Sequence, residues 1–361
     1  MNVLFVIKGN EPYVSQQAQI ELAIGLQAKG VNILLTGNFS EEVESYLKEL
    51  PIKYQKVFPT KSIDKEYTEK FSKLLKERQI DLVHFVDGKS ARNGLRALKD
   101  SDVKSVIYFG STSLHWYDPT SYFTYLSPQL DAIIGNSNFV YKHVKSQLFG
   151  KNKEKAIRIF KGYNPDWFVN VRGKDFSEFG IPKDDLVVCL VGNHRKIKGT
   201  KYFLESSHHL STEKKVHYIL IGDETNNAYF HRMRERSPIK DQIHLLGRRN
   251  DVVSILKSSD IYVQTSLEEG FGRAISEAMS VGKPIVMTDA GGCTELIDEN
   301  SGIIVPKKDA KAIGQAISKL INDDELRIKM GKNAKTRIQT VYHIKDTIRD
   351  TYNLYQRLLN P

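Results

Sequence analysis

Short apolar runs alternate with amphipathic segments along nearly the whole chain. Val3–Ile7, Val31–Thr36, Asp81–Val86, Lys104–Phe109, Ala132–Ile134 and Ala156–Phe160 read as strands. After the first of them, Ala18, Leu22, Leu26 and Lys29 recur at helical spacing over Ser15–Lys29, and Gly30 supplies the stop. A second series of strands is predicted at Leu186–Val191, Val216–Ile221, Gln242–Leu245, Ile261–Gln264, Pro284–Thr288 and Gly302–Val305. Beyond Val305 the spacing is helical, at Ala310–Ile321, Asp324–Val341 and His343–Leu359. Strands separated by helices form βαβ units and hence parallel sheets. Two such series predict an α/β chain of two doubly wound, Rossmann-like domains.

The stretch Gly162–Pro182 holds three glycines, two prolines and no clean period, which marks it as the boundary. The predicted organisation is a first domain over residues 1–165, a second over 166–341, and a closing helix over 342–361 that packs back on the first. No sequence repeat of 20–50 residues is visible. Open parallel sheets bind ligands beyond the C-terminal ends of their strands. Two facing domains would therefore hold a ligand in the cleft between them, and polar groups just after strands are the candidates for chemistry.

Composition narrows the class. With 40% hydrophobic and 27% charged residues among 361, the chain can build two sizeable cores, which excludes wholesale disorder. No apolar run approaches the roughly 18 residues of a membrane span. The N-terminal segment reads as a strand and not as a signal peptide, so a cytoplasmic location is expected. Two cysteines, Cys189 and Cys293, make neither a disulfide framework nor a cysteine-rich metal site. The net charge is +10, and the densest basic stretch, Lys142–Lys161, carries seven basic residues against Glu154 alone. Such a stretch suits an anionic lipid face, nucleic acid or an anionic substrate, and equally a solvated helix face.

Residues 261–297, IYVQTSLEEGFGRAISEAMSVGKPIVMTDAGGCTELI, form two consecutive strand–turn–helix units. The first turn carries Glu268, Glu269, Gly270 and Gly272, and its helix runs to about Ser280. Gly270 and Gly272 allow a ligand close to the backbone, and the free N–H groups of the helix start favour an anion. Glu277 lies eight residues after Glu269, about two turns deeper if helical. Two carboxylates at that spacing can hold hydroxyls at separate points of an extended polar ligand. The second unit repeats the device with Ala290–Gly291–Gly292 and a helix start expected at Thr294–Glu295. In residues 187–199, VVCLVGNHRKIKG, Arg195, Lys196 and Lys198 follow a buried strand, where cations can neutralise a diphosphate without a metal. Taken singly, each turn also reads as an ordinary βα connection.

Together, EEGFGRAISEAMSVGKPIV, VGNHRKIKG, KGYNPDWF at Lys161–Phe168, YILIGD at Tyr218–Asp223 and AGGCTELI resemble family 4 glycosyltransferases, retaining enzymes of GT-B architecture that use nucleotide sugars. The resemblance implies that Glu277 accepts from the ribose hydroxyls and that Glu269 contacts the donor sugar. It implies that Arg195 and Lys198 bind the diphosphate and stabilise its departing charge. Gly270, Phe271, Gly272, Arg273, Gly292 and Thr294 would add backbone contacts, and Arg248 would lie near the base. The family's first-domain histidine is matched by His115 in YFGSTSLHWYDP. Two departures stand out. Asn193 occupies a position that is often arginine, and the first loop, Lys8–Gln17, has Gly9 alone where paired glycines are common, which leaves Asn10, Tyr13 or Ser15 to do different work there.

The expected reaction is transfer of a sugar from a nucleotide-diphosphate donor to a glycan or lipid-linked acceptor, with no metal and no cofactor beyond the donor. Asp100–Ser101–Asp102 spells a metal–diphosphate motif but precedes its strand, on the wrong side of the sheet. Alternatives are another GT-B chemistry, such as epimerisation or phosphorolysis, and a non-catalytic ligand- or nucleic-acid-binding role. The basic residues lack regular aromatic interleaving, which speaks against nucleic acid. The stretch Lys142–Lys161 is expected to rest on the inner face of an anionic membrane.

Overall fold

The computed structural model describes residues 1–10 and 13–360; Glu11 and Pro12 of the first loop lie outside the described residues. The chain divides into two compact units, Met1–Gly162 with Tyr342–Pro361, and Tyr163–Val341. Among the described residues, unit 1 holds seven parallel strands. These are β1 (Asn2–Val6), β2 (Asn32–Gly37), β3 (Lys53–Lys56), β4 (Leu82–Phe85), β5 (Lys104–Phe109), β6 (Ala132–Gly135) and β7 (Ala156–Arg158), in the order β3-β2-β1-β4-β5-β6-β7. Unit 2 holds six: β8 (Leu186–Val191), β9 (Val216–Ile221), β10 (Ile243–Gly247), β11 (Ile261–Gln264), β12 (Ile285–Thr288) and β13 (Gly302–Val305), in the order β10-β9-β8-β11-β12-β13.

The hydrophobic pattern located twelve of these strands to within a few residues and was silent on β3. That strand lies at a sheet edge, and three of its four residues are exposed, so it has no apolar run to announce it.

Both faces of each sheet are covered. In β1, Val3 and Phe5 enter one buried cluster while Leu4 and Val6 enter another, the period-two alternation of a strand sandwiched between helices. Each fully buried side chain of this kind contributes about 1.5–3 kcal/mol. The helix Ile344–Leu359 completes the first of these clusters with Leu354 and Tyr355. It is tied down at its start by Thr347, whose hydroxyl donates to the Phe160 carbonyl at 2.8 Å. No helix among the described residues is long and apolar enough to cross a membrane.

In each sheet the strand order reverses once. The reversal falls between β1 and β4 in unit 1 and between β8 and β11 in unit 2. Connections leave the two neighbouring strands in opposite directions there, which opens a crevice at their C-terminal ends.

Candidate active site

The reversal in unit 2 joins the two stretches that the sequence singles out. The segment after β8 and the segment after β11 pack on one another. The Leu267 N–H donates to the Ile197 carbonyl at 2.7 Å, and the Thr265 hydroxyl donates to the Gly199 carbonyl at 3.0 Å. Gly199 has φ of 58°, and a Cβ there would collide with the Thr265 carbonyl oxygen, so the approach requires glycine.

This packing places the Lys198 Nζ 2.6 Å from Glu269 Oε2, with the side chains 20% and 15% exposed. A pair this dry draws more from Coulomb attraction than a surface pair, and removing one member strands the other. The Glu269 backbone is fixed as well. Its N–H donates to the Ala290 carbonyl at 2.8 Å, and the residue forms a parallel bridge with Gly291. The turn after β12 thereby joins the same site.

A buried chain of hydrogen bonds runs behind Glu269. The Tyr262 hydroxyl donates to Gln264 Oε1 at 2.5 Å, Gln264 Nε2 donates to Ser266 Oγ at 2.6 Å, and the Ser266 hydroxyl donates to Glu269 Oε2 at 3.3 Å. From β12, the Thr288 hydroxyl donates to the Ser266 carbonyl at 2.5 Å. Burial drives the Tyr262 phenol well above its ordinary range, and the nearby Cys189, Glu269 and Glu277 add to this, so it remains a neutral donor. Sequence reasoning missed these residues. Their signal was a polar group at every second position of Tyr262, Gln264 and Ser266, one face of an otherwise apolar strand.

Glu277 is buried in the helix Arg273–Ser280. Arg273, one turn earlier and exposed, donates from Nε to Glu277 Oε1 at 3.1 Å. The expected two helical turns between Glu269 and Glu277 are not there. The helix starts only at Arg273, and Gly272, at φ of 84°, turns the chain into it. The Phe271 side chain is buried, so only its backbone is available to a ligand. The helix expected at Thr294–Glu295 is instead a 3-10 turn over Gly292–Leu296. Both the N–H and the hydroxyl of Thr294 close on the Gly291 carbonyl, at 3.1 and 2.8 Å, a three-residue closure too tight for an α-turn. The Thr294 N–H is therefore already engaged. Cys293 lies buried beside this turn, and burial pushes its thiol up to about 12, with Glu269 adding to the shift.

Other candidates lie apart from the ion pair. Arg195 is exposed and donates from Nε to Asn193 Oδ1 at 3.2 Å, three residues before Lys198. Arg248 is exposed, with its Nε 4.0 Å from Asp223 Oδ1. Gly270 is half-buried in the turn between Glu269 and Phe271. In unit 1, His115 is half-buried in the loop after β5. Its ring stacks on Tyr117 at 5.0 Å and meets His143 edge-on at 5.6 Å, while His143 Nε2 donates to the Leu114 carbonyl at 2.8 Å. Asp100 and Asp102 lie in the turn that precedes β5. Among the described residues, no three His, Cys, Asp or Glu side chains converge to hold a metal ion.

Known proteins share this arrangement. Residues 18–167 match the family "Glycosyltransferase Family 4", and residues 171–337 match "Glycosyl transferases group 1". The chain is 34% identical over 149 residues to the N,N'-diacetylbacillosaminyl-diphospho-undecaprenol alpha-1,3-N-acetylgalactosaminyltransferase of Campylobacter jejuni, a match spanning 41% of this chain and 39% of that enzyme. It is 26% identical over 314 residues to the UDP-Gal:alpha-D-GlcNAc-diphosphoundecaprenol alpha-1,3-galactosyltransferase of Escherichia coli, covering 78% of this chain and 77% of that one. Among solved structures, Anabaena HepE in complex with UDP is similar with a TM-score of 0.81 at 18% identity, over 99% of this chain and 100% of that one. A glycosyltransferase from Rickettsia africae gives 0.83 at 21%, over 99% and 98%. The structural likenesses establish the GT-B class of fold, with two Rossmann-like units. With both units matched in sequence, the chain belongs to glycosyltransferase family 4, the group 1 glycosyl transferases.

Proposed function

We propose that this chain transfers a hexose-type sugar from a nucleotide-diphosphate donor to a hydroxyl of a glycan or lipid-linked acceptor, retaining anomeric configuration and needing no metal ion. The observation that carries the reading is the Lys198–Glu269 pair at the strand-order reversal of unit 2. An ammonium has three donors, and Glu269 engages one, which leaves two for a diphosphate. Arg195, on the same turn, adds a fork of donors. Glu269 Oε1 has no partner among the described residues and can accept from a sugar hydroxyl. Glu277, paired with Arg273, is assigned to the ribose hydroxyls, and Arg248 to the neighbourhood of the base. Backbone N–H groups at Gly270–Arg273 and Gly292 supply further donors.

In this reading the acceptor oxygen bonds to the anomeric carbon on the face that the diphosphate leaves. The carbon–phosphate-oxygen bond breaks with its electron pair going to phosphate, and the departing phosphate oxygen takes the acceptor's proton. Lys198 and Arg195 stabilise the growing charge. For His115 the resemblance supplies the role, a hydrogen bond to the transferring sugar.

The names of the two relatives describe acceptors linked to diphospho-undecaprenol, which supports a polyprenyl-linked acceptor here and work from the cytoplasmic face of a membrane. In unit 1, Lys142, Lys145, Lys151 and Lys153 are exposed, as are Trp116 and Phe149, whose rings meet edge-on at 6.1 Å. Lysines beside exposed aromatic rings suit an anionic bilayer surface. Vesicle co-sedimentation should require acidic lipid, and equal binding to neutral vesicles would remove this part.

The test of the whole is a panel of labelled UDP-, GDP- and ADP-sugars offered with an undecaprenyl-diphosphate-linked saccharide in EDTA. The expected result is transfer from one donor class, with the donor's anomeric configuration kept in the product. Absence of transfer from every donor, inverted product or dependence on added metal would overturn the corresponding claim.

A further inference from the structure

Resting on the reading that Glu269 meets the donor sugar, we infer that Tyr262, Gln264 and Ser266 are positioning residues that fix Glu269 Oε2 and so present Oε1 to that sugar. The direction of the chain follows from its end. A carboxylate only accepts, so the Ser266 hydroxyl spends its single proton on Glu269. Ser266 must then accept, and Gln264 Nε2 donates to it at 2.6 Å. That fixes the amide so that its Oε1 faces Tyr262, which donates at 2.5 Å. A flipped amide would take the Ser266 proton and leave Glu269 held by Lys198 alone.

The placement is rigid. Tyr262 and Gln264 occupy alternate positions on one face of β11, Ser266 continues that register past the strand end, and all three are buried. Thr288 clamps the Ser266 backbone from β12. Two donors converge on one carboxylate oxygen, Lys198 from the turn after β8 and Ser266 from the sheet interior. A carboxylate held from two rigid elements is oriented before the ligand arrives, which is where binding and catalysis gain from preorganisation.

The relay acts on the sugar and not on the nucleotide, and this separates it from a merely structural role. The experiment uses the full chain. Calorimetric titration compares a nucleoside diphosphate with its sugar conjugate, the conjugate being the one that stabilises the wild type most among UDP-, GDP- and ADP-sugars. In Ser266→Ala the preference for the conjugate over the bare diphosphate should fall about tenfold while diphosphate affinity stays within twofold. Ser266→Thr, which keeps the hydroxyl, should restore the preference. Tyr262→Phe, which removes one oxygen, should lower it severalfold and carries the test if Ser266→Ala does not fold. An unchanged preference in both variants, or equal weakening of both ligands, would overturn the relay. A wild-type chain with no preference for any conjugate would instead overturn the assignment of Glu269 to the sugar.

Discussion

The two units share one architecture and use it differently at equivalent places. In each, the strand across the order reversal carries a buried polar side chain: His84 in β4 of unit 1 and Gln264 in β11 of unit 2. From Gln264 the hydrogen bonds lead along the strand to its C-terminal end and into the Lys198–Glu269 pair. From His84 they lead sideways, Nδ1 meeting the Tyr355 hydroxyl at 2.6 Å on the closing helix, while Nε2 is buried without a protein partner. His84 lines a small cavity with Gln19, Tyr108, Lys161, Thr347 and Thr351. One buried polar strand position thus serves chemistry at the crevice, and the other serves closure of the fold. Topology supplies the crevice, and side chains decide whether it is used.

The largest effect should come from breaking the pair in unit 2. Glu269→Ala and Lys198→Ala should each lower sugar transfer more than tenfold, over about 1.4 kcal/mol of barrier, measured as initial rates with labelled donor. The double variant should lose much less than the sum of the two, because each single change strands a charge. Additive losses would show that the two side chains act independently.

The next effect concerns the approach of the two turns. Gly199→Ala forces a side chain into a left-handed conformation and against the Thr265 carbonyl. It should cost on the order of 2–3 kcal/mol of stability and reduce transfer with it. Denaturant unfolding measures the first quantity, and an unchanged midpoint would mean that the turns need not touch.

A smaller effect separates the units. Tyr355→Phe leaves a buried imidazole nitrogen without its partner, at a cost of about 1–3 kcal/mol, and should leave nucleotide binding in unit 2 unaltered. Weaker nucleotide binding in this variant would erase the contrast between structural and chemical use.

Both units also contain histidines held neutral. Burial lowers His84 to about 3, and burial with the nearby His217 and Arg234 lowers His244 to about 4, against an ordinary 6.5. The unfolded chain binds protons at these sites more readily than the folded one, so stability is full above pH 6.5 and falls as pH drops toward 4. The decline belongs to no single unit. His244→Gln should flatten part of it, read as melting temperature against pH, and an identical profile would exclude His244.

Much of this was legible in the sequence because buried parallel strands are continuous apolar runs, and because Gly199, Gly272 and Gly282 mark places where backbone geometry permits little else. The EEGFG and HRKIKG stretches named the ion pair's members without showing that they meet. Their contact is long-range and depends on strand order, which one chain's periodicity does not encode. Strand β3 was hidden by its exposed, charged edge. The outward turn of Arg195 onto Asn193 and the closure of Thr294 on Gly291 are local hydrogen-bond choices that leave no periodic trace. The relay through Gln264 left a trace, a polar residue where the strand pattern asks for an apolar one.

The most direct measurement is hydrogen–deuterium exchange of the full chain with and without a nucleotide sugar. The account predicts protection of the turns spanning residues 193–199 and 265–273, lost in Lys198→Ala. Ligand binding that leaves both turns exchanging as in the free protein would contradict it.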